Sequence, residues 1–295
     1  MGDYAYAAPT SLKEALSVLE SQANDGHRTQ ILAGGTDVLV QMRSTDKEPR
    51  TLVDIKHVAE TNELSIGADE IFVGAAIPSA VLNENDELKG ILPGLIEAAD
   101  LIGSTQIQGR ATIGGNLCNS SPAGDTIPAL MVVSAVCVIA SSAGSREVAV
   151  ENFVTGVGQN CLKSNEFLVG LKIPRPGNNS ADAYLRFIPR TEMDIAVAGA
   201  GVALTLDDEG TCTSAKVAIG AVAPTVLLVE AAAAALVGTK VDDDALNAAA
   251  AACSNAASPI TDKRGTVEYR TKVVGVLCKR AGAIARDRAS SSLGN

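Results

Sequence analysis

Two glycine pairs in this sequence stand where an anion could be held. Residues 31–38 have the sequence ILAGGTDV, in which an apolar run breaks at Gly34-Gly35 and a helical pattern follows. Residues 112–125 have the sequence TIGGNLCNSSPAGD, in which Gly114-Gly115 precede small and hydrogen-bonding residues and then Asp125. A glycine turn at the start of a helix leaves backbone N–H groups unpaired beside the positive end of the helix dipole. Both segments are therefore predicted to be phosphate-binding loops.

Each feature also has a plainer explanation. Glycine is the ordinary solution wherever a turn needs a positive φ, so one Gly-Gly pair alone would indicate only a turn. Asp125 stands directly before a helical pattern and could cap that helix without touching a ligand. Because the two segments share the same order of features, with Thr or Asn and then Asp after the glycines, we favour ligand binding at both.

Composition limits the partners. The 295 residues carry 34 acidic and 24 basic side chains, a net charge of −10. This balance argues against nucleic acid or an anionic membrane surface as the main partner. It also means that an anionic ligand must be held largely by backbone N–H groups, which the glycine segments supply.

The sequence offers few side chains for chemistry of its own. No apolar run reaches the roughly 18 residues of a membrane span, and residues 1–20 lack a signal-peptide pattern, so we expect a cytoplasmic protein without membrane insertion. The six cysteines are dispersed without a C-x-x-C pair, which encodes neither a disulfide scaffold nor an iron–sulfur or zinc site. His27 and His57, the two histidines, stand among polar neighbours and are interpreted as surface residues.

The order of predicted elements indicates two regions. Residues up to about 174 alternate short strands and helices, and the cluster PRPGNNS at 174–180 is the best candidate for a domain boundary. Beyond it, three strand-like runs at 184–189, 196–206 and 215–222 are followed by three helical runs. Strands followed by helices predict an α+β layer in which a sheet is covered on one face.

Four segments together resemble the FAD-carrying medium subunits of molybdenum hydroxylases. They are AGGTD at 33–37, TIGGN at 112–116 continued by SPAGD at 121–125, RTEMDIA at 190–196, and KRGTVEYR at 263–270. The first two are similar to the family's paired flavin-binding motifs, the third to its R-x-x-x-D-I-A segment and the fourth to its R-G-x-x-E-Y-R signature. The family includes the carbon monoxide, nicotinate and quinoline enzymes and the flavin domain of xanthine dehydrogenase. The likeness covers essentially the whole chain.

The resemblance implies an α+β fold with a PCMH-type FAD-binding region at 1–176, in subdomains of about 1–57 and 58–176, and a C-terminal α+β domain at 181–290 whose sheet is covered by helices. It implies FAD between the subdomains, with the diphosphate near both glycine segments. Asp125 would accept a hydrogen bond from a cofactor hydroxyl, Leu168 would pack against a ring, and Arg186 falls where some relatives place a lysine near the flavin. The implied cofactor-binding residues are Ile31, Leu32, Ala33, Gly34, Gly35, Thr36, Asp37, Val38, Ile102, Thr112, Ile113, Gly114, Gly115, Asn116, Asn119, Asp125, Leu168 and Arg186.

The resemblance also implies partners. Electrons would leave the substrate at a molybdenum-cofactor large subunit, cross a [2Fe-2S] small subunit, reach this FAD and pass to an external acceptor, in a complex expected to be a dimer of heterotrimers. No catalytic or metal-binding side chain is assigned to this chain. Two alternatives stay open: a self-contained FAD-dependent oxidase or dehydrogenase, for which no convincing general base is present, and a binding module without cofactor.

Five other residues have structural interpretations. Arg190 and Asp194 could form an internal ion pair. Arg264 and Glu268 are spaced by one helical turn, which favours a surface pair. Cys118, inside the second glycine segment, is interpreted as an inert buried thiol.

Overall fold

The computed structural model describes residues 4–44 and 48–291. Its first region is a small parallel sheet with strand order β1-β3-β2, in which β3 pairs in parallel with both neighbours. The elements are β1 (Tyr4–Ala7), α1 (Leu12–Asn24), β2 (Thr29–Leu32), α2 (Val38–Ser44) and β3 (Arg50–Asp54). Strand β3 is buried along its whole length, and its Val53 belongs to one core cluster with residues of α1 and of the next region.

The second region is built on an antiparallel sheet of order β4-β5-β10-β6-β7. Its elements are β4 (Leu64–Ile66), β5 (Glu70–Gly74), α3 (Ser79–Asn83), α4 (Asp86–Ile91), α5 (Pro93–Asp100), α6 (Thr105–Gln108), α7 (Ile113–Asn119), α8 (Thr126–Val132), β6 (Val136–Ser141), β7 (Gly144–Ala149), β8 (Val154–Gly156), β9 (Gln159–Asn160) and β10 (Phe167–Pro174). Short 3₁₀ turns lie at Ala59–Asn62 and Val150–Asn152. Strand β10 is central, and its residues face the core of this region and that of the first sheet.

The third region has an antiparallel sheet of order β11-β12-β13-β14. Its elements are β11 (Ser180–Phe187), β12 (Ala198–Leu206), β13 (Cys212–Gly220), β14 (Leu227–Leu228), α9 (Glu230–Leu236), α10 (Asp243–Ala256) and α11 (Val267–Ser291). The predicted order of strands and then helices is therefore present. The α+β fold class expected from the sequence is confirmed.

Helix α8 joins the second and third regions. Each of its residues is buried, and Pro128 is accommodated in its first turn, where a backbone N–H is not needed. Gly201 and Gly220 of the third sheet lie against Pro128, where there is little room for a side chain. The C-terminal sheet is consequently covered on both faces, by α9–α11 on one and by α5 and α8 on the other. The sequence led us to expect a cover on one face only.

None of the helices in the described ranges combines the length and apolar composition that a membrane span requires.

Candidate functional site

A cleft of about 500 Å³ lies between the first and second regions. Most of the residues predicted from the sequence to bind a cofactor line it. These residues are Ile31, Ala33, Gly34, Gly35, Thr36, Asp37, Val38, Ile102, Thr112, Gly114, Gly115, Asn116, Asn119 and Leu168. The exceptions are Leu32, Ile113, Asp125 and Arg186, of which Leu32 and Ile113 are buried in the protein core.

The first glycine pair forms an open turn between β2 and α2. Gly35 has φ +76°, a left-handed conformation that glycine adopts without steric cost. A Cβ at Gly34 would overlap the carbonyl oxygen of Arg110, so this turn is pressed against the second region. Among the hydrogen bonds between described residues, none uses the backbone N–H groups of residues 34–38. The turn therefore leaves backbone donors unused in residues that line the cleft, and their role in binding an anion stays a prediction.

The second glycine pair does not lie in a loop, and that part of the prediction is wrong. Gly114 and Gly115 belong to the first turn of α7, because Thr112 caps this helix: its Oγ1 accepts a hydrogen bond from the Gly115 N–H at 2.8 Å. A Cβ at Gly114 would lie 2.6 Å from the carbonyl oxygen of Ala75, so close packing against another chain segment explains this glycine. The pair gives the cleft a backbone wall without side chains.

Amide side chains connect the walls. Gln41 of α2 donates from Nε2 to Oδ1 of Asn119 in α7 at 3.1 Å, which links the two sides of the cleft. Asn116 accepts at Oδ1 from the Thr126 hydroxyl at 2.7 Å, so this predicted ligand residue also anchors the start of α8.

Residues 158–168 form a third wall of the cleft, of which the sequence analysis predicted only Leu168. Gly158, Asn160, Leu162–Ser164 and Glu166 line the cleft beside the predicted Leu168. Arg146 holds this segment by donating two hydrogen bonds to the Glu166 carboxylate, at 2.9 and 2.8 Å. These bonds lower the pKa of the Glu166 carboxyl to about 2. No local pattern signals this wall, because only the pairing of β10 with β5 and β6 brings it to the glycine turns.

The charges in the cleft leave the backbone as the main anion-binding element. Arg28 is paired with Glu48 at 3.0 Å, and Glu166 is paired with Arg146. Lys163 and Asp37 are both exposed at the cleft, where partial desolvation by the surrounding protein raises the pKa of the Asp37 carboxyl. Cys118 also lines the cleft, and burial raises the pKa of its thiol to about 12. Cys118 is half-buried, and its raised pKa favours the protonated thiol, which is the less reactive form.

Asp125 lies outside the cleft lining, in a buried cluster with two residues of β11. Its Oδ1 accepts from the Tyr184 hydroxyl at 2.9 Å, and its Oδ2 is 2.6 Å from Nη1 of Arg186. Burial raises the pKa of the Asp125 carboxyl, whereas Arg186 and Tyr184 lower it. Its side chain makes no capping hydrogen bond, which excludes the capping alternative, and the cofactor contact that we favoured for Asp125 stays a prediction. The carboxylate is instead used to join α8 to the C-terminal sheet.

The two C-terminal signature segments meet at the surface. Asp194 is bonded to Arg190 at 3.1 Å and to Arg264 at 3.2 Å, so the ion pair considered between Arg190 and Asp194 is present, although at the surface and not in the interior. The pair expected between Arg264 and Glu268 is wrong. Helix α11 begins at Val267, so the two residues are not one helical turn apart, and Arg264 turns to Asp194 instead.

The residues of the cleft fit FAD. Unused N–H groups at 34–38 suit a diphosphate, the glycine pairs leave room for its close approach, and Ile31, Ile102 and Leu168 give apolar surface for flat rings. Among the described residues, no group of three His, Cys, Asp or Glu is arranged to hold a metal ion.

Comparison with known proteins gives matches along nearly the whole chain. Residues 2–176 match the family model of the FAD binding domain in molybdopterin dehydrogenase, and residues 183–284 match that of the CO dehydrogenase flavoprotein C-terminal domain. The carbon monoxide dehydrogenase medium chain of Afipia carboxidovorans is 33% identical over 98% of this chain and 99% of its own length. The nicotinate dehydrogenase FAD-subunit of Eubacterium barkeri is 32% identical over 75% of each chain.

Comparison with solved structures gives matches to the same kinds of enzyme. A chain of reconstituted CO dehydrogenase from Oligotropha carboxidovorans superposes with a TM-score of 0.91 and 31% identity, covering 97% of this chain and 99% of the other. A chain of quinoline 2-oxidoreductase from Pseudomonas putida superposes with a TM-score of 0.88 and 26% identity, over 97% and 98%.

Proposed function

Because this chain belongs to the family of FAD-binding medium subunits of molybdopterin dehydrogenases, we propose that it relays electrons within a molybdenum hydroxylase complex. It would receive electrons from a [2Fe-2S] small subunit and pass them to an external acceptor. The observation that carries the proposal is the cleft itself. In it, a turn with unused N–H groups faces two further walls that have few unpaired charged side chains.

The chain's own residues have binding and orienting roles. The N–H groups of residues 34–38 would hold the diphosphate of FAD, with the backbone of Gly114-Gly115 on the other side. Leu168 and Ile102 would pack against the rings, and the segment clamped by Arg146 and Glu166 would exclude water from one side. When bound, FAD supplies the redox chemistry, and the protein fixes its position and surroundings.

The proposed partners are an iron–sulfur small subunit and a molybdenum-cofactor large subunit, assembled as a dimer of heterotrimers. Support comes from the relatives, whose names describe them as a medium chain and an FAD-subunit of larger enzymes. The cleft residues of this chain include no histidine, which fits a subunit that positions a cofactor rather than one that activates a substrate.

Anaerobic stopped-flow spectroscopy tests the proposal. The isolated chain should bind FAD and accept electrons from dithionite, yet the flavin should stay oxidised when substrates of the related dehydrogenases are added. Supplying the proposed iron–sulfur and molybdenum-cofactor partner subunits should restore bleaching of the flavin by substrate. Substrate-driven bleaching in the isolated chain would contradict the relay and favour a self-contained flavoenzyme.

A further inference from the structure

Lys56 lies directly behind the first glycine turn. Its ammonium donates hydrogen bonds to the carbonyl oxygen of Ala33 at 3.1 Å and to Oδ1 of Asp54 at 2.6 Å. Asp54 is itself fixed, because its Oδ2 accepts from the Tyr6 hydroxyl at 2.7 Å and its Oδ1 from the Lys56 N–H at 3.1 Å. The Lys56 ammonium is therefore held in place by neighbours from β1 and β3.

This contact sets the direction of one peptide group in the turn. The peptide between Ala33 and Gly34 is trans, so its C=O and N–H point in opposite directions. Ala33 and Gly34 line the cleft, whereas Lys56 lies outside the lining. With the Ala33 carbonyl fixed toward Lys56, the Gly34 N–H must point away from Lys56, toward the cleft.

The contact also changes the strength of that donor. A cation bonded to a carbonyl oxygen polarises the peptide, which makes the N–H on the other side a better hydrogen-bond donor. The neighbouring carbonyl of Leu32 accepts a hydrogen bond from the Ile55 N–H at 3.1 Å. The two residues that follow β3 therefore hold two successive carbonyls at the start of the turn.

We propose that Lys56, oriented by Asp54 and Tyr6, is a positioning residue that turns the Gly34 N–H toward the diphosphate of FAD and strengthens it as a donor. The inference rests on the proposed placement of FAD in this cleft. It assigns a role to a side chain that touches no part of the cofactor and that no glycine motif contains.

The test uses Lys56→Met, which keeps most of the aliphatic stem and removes the charge. The FAD dissociation constant of the apoprotein should rise about 10- to 100-fold. The variant loses the charge-assisted hydrogen bond to the Ala33 carbonyl, which orients and polarises the Gly34 N–H. ADP carries the diphosphate without the flavin, so its ability to compete with FAD should weaken by a similar factor. Both are measured by titration of flavin fluorescence.

Lys172→Met is the matched control. Lys172 is paired with Glu147 at 2.7 Å in the second sheet and has no contact with the turn. The FAD affinity of this control should stay within about twofold of that of the wild-type protein, since surface pairs contribute little.

Two further variants grade the effect. Lys56→Arg should recover part of the lost affinity. Tyr6→Phe, which loosens Asp54 but leaves Lys56 in place, should weaken FAD binding about two- to fivefold.

Three results would overturn the inference. One is an FAD affinity of Lys56→Met equal to that of Lys172→Met. Another is a loss for FAD with unchanged competition by ADP, which would place the effect away from the diphosphate. The third applies if Lys56→Met fails to fold: an FAD affinity of Tyr6→Phe equal to that of the wild-type protein would then contradict the proposed role of Lys56. Failure of the wild-type apoprotein to bind FAD would instead contradict the proposed function.

Discussion

The two glycine pairs lie on opposite sides of one cleft and meet different physical demands. Gly34-Gly35 form an open turn whose N–H groups are unused and in which Gly35 has a positive φ. Gly114-Gly115 lie in the first turn of α7, where Thr112 takes one of the free N–H groups. The aspartates that follow also differ, because Asp37 is exposed at the cleft and Asp125 is buried against Arg186. Similar short motifs therefore leave backbone N–H groups unused on one side of the cleft and allow close packing on the other.

The comparison of the two aspartates predicts the largest effect. Asp125→Asn should lower the free energy of unfolding by about 3–5 kcal/mol, because it leaves the buried Arg186 guanidinium without its counter-charge. Asp37→Asn, the matched substitution in the first motif, should change it by less than about 0.5 kcal/mol. Urea unfolding of both apoproteins measures the difference. Equal stability of the two variants would show that the Asp125 pair is not a structural one.

Gly34→Ala should have the next largest effect. A methyl group there would overlap the Arg110 carbonyl, which belongs to backbone and cannot rotate away, so we expect a loss of about 3 kcal/mol and a failure to retain FAD. Thermal unfolding and the flavin content of purified protein measure it. Gly90→Ala is a suitable control because a Cβ there would meet no atom within 4 Å. A stable Gly34→Ala variant with full FAD content would show that the turn is not pressed between the two regions.

Substitutions at Gly35 distinguish the cost of a positive φ from the cost of a steric contact. Gly35→Ala should cost about 1–2 kcal/mol, the penalty for a residue with a Cβ in the left-handed region. Gly35→Asn should cost less, because asparagine tolerates a positive φ better than alanine does. Chemical unfolding ranks the two variants. If asparagine proved worse than alanine, contact with the Leu32 side chain, and not φ, would control this position.

Gly115→Ala should have the smallest effect of the series. Alanine gains about 0.5–1 kcal/mol over glycine inside a helix, and its only close neighbour would be the Thr112 side chain at 2.9 Å. We therefore expect a change in stability of less than about 1 kcal/mol of either sign. Calorimetry measures this change, and a loss as large as that of Gly34→Ala would remove the distinction between the two pairs.

The third wall should contribute to the acid sensitivity of the fold. The pKa of the Glu166 carboxyl is lowered to about 2 in the folded protein, so its stabilising contribution is complete above its ordinary pKa of 4.5 and is lost as pH falls from there toward 2. Glu166→Gln should remove this part of the pH dependence of unfolding. An unchanged acid unfolding curve would show that the bonds to Arg146 contribute no net stability.

Features that depend on neighbouring residues in the sequence could be predicted from it. The strand–glycine–helix order at 31–38, the succession of strands and helices beyond residue 180 and the family motifs were readable from the sequence, and the family, the fold class and the FAD cofactor are confirmed. The cofactor-binding roles of individual residues, the domain boundaries and the partners remain predictions.

The errors came from contacts between residues distant in the sequence. Thr112 was not recognised as a helix cap because two glycines in a first turn lower helix propensity, and packing against Ala75 overrides that preference. The positions of Asp125 and of the 158–168 wall depend on strand pairing, which no short window of sequence contains.

The burial of α8 has a consequence for engineering. Since its residues fill the space between the second sheet and the C-terminal sheet, cutting the chain near residue 178 would expose apolar surface on both fragments. Neither half is then a transferable module. Chimaeras that exchange whole chains between related dehydrogenases should be soluble, whereas those that exchange only the N-terminal or C-terminal region need both sides of α8 redesigned together.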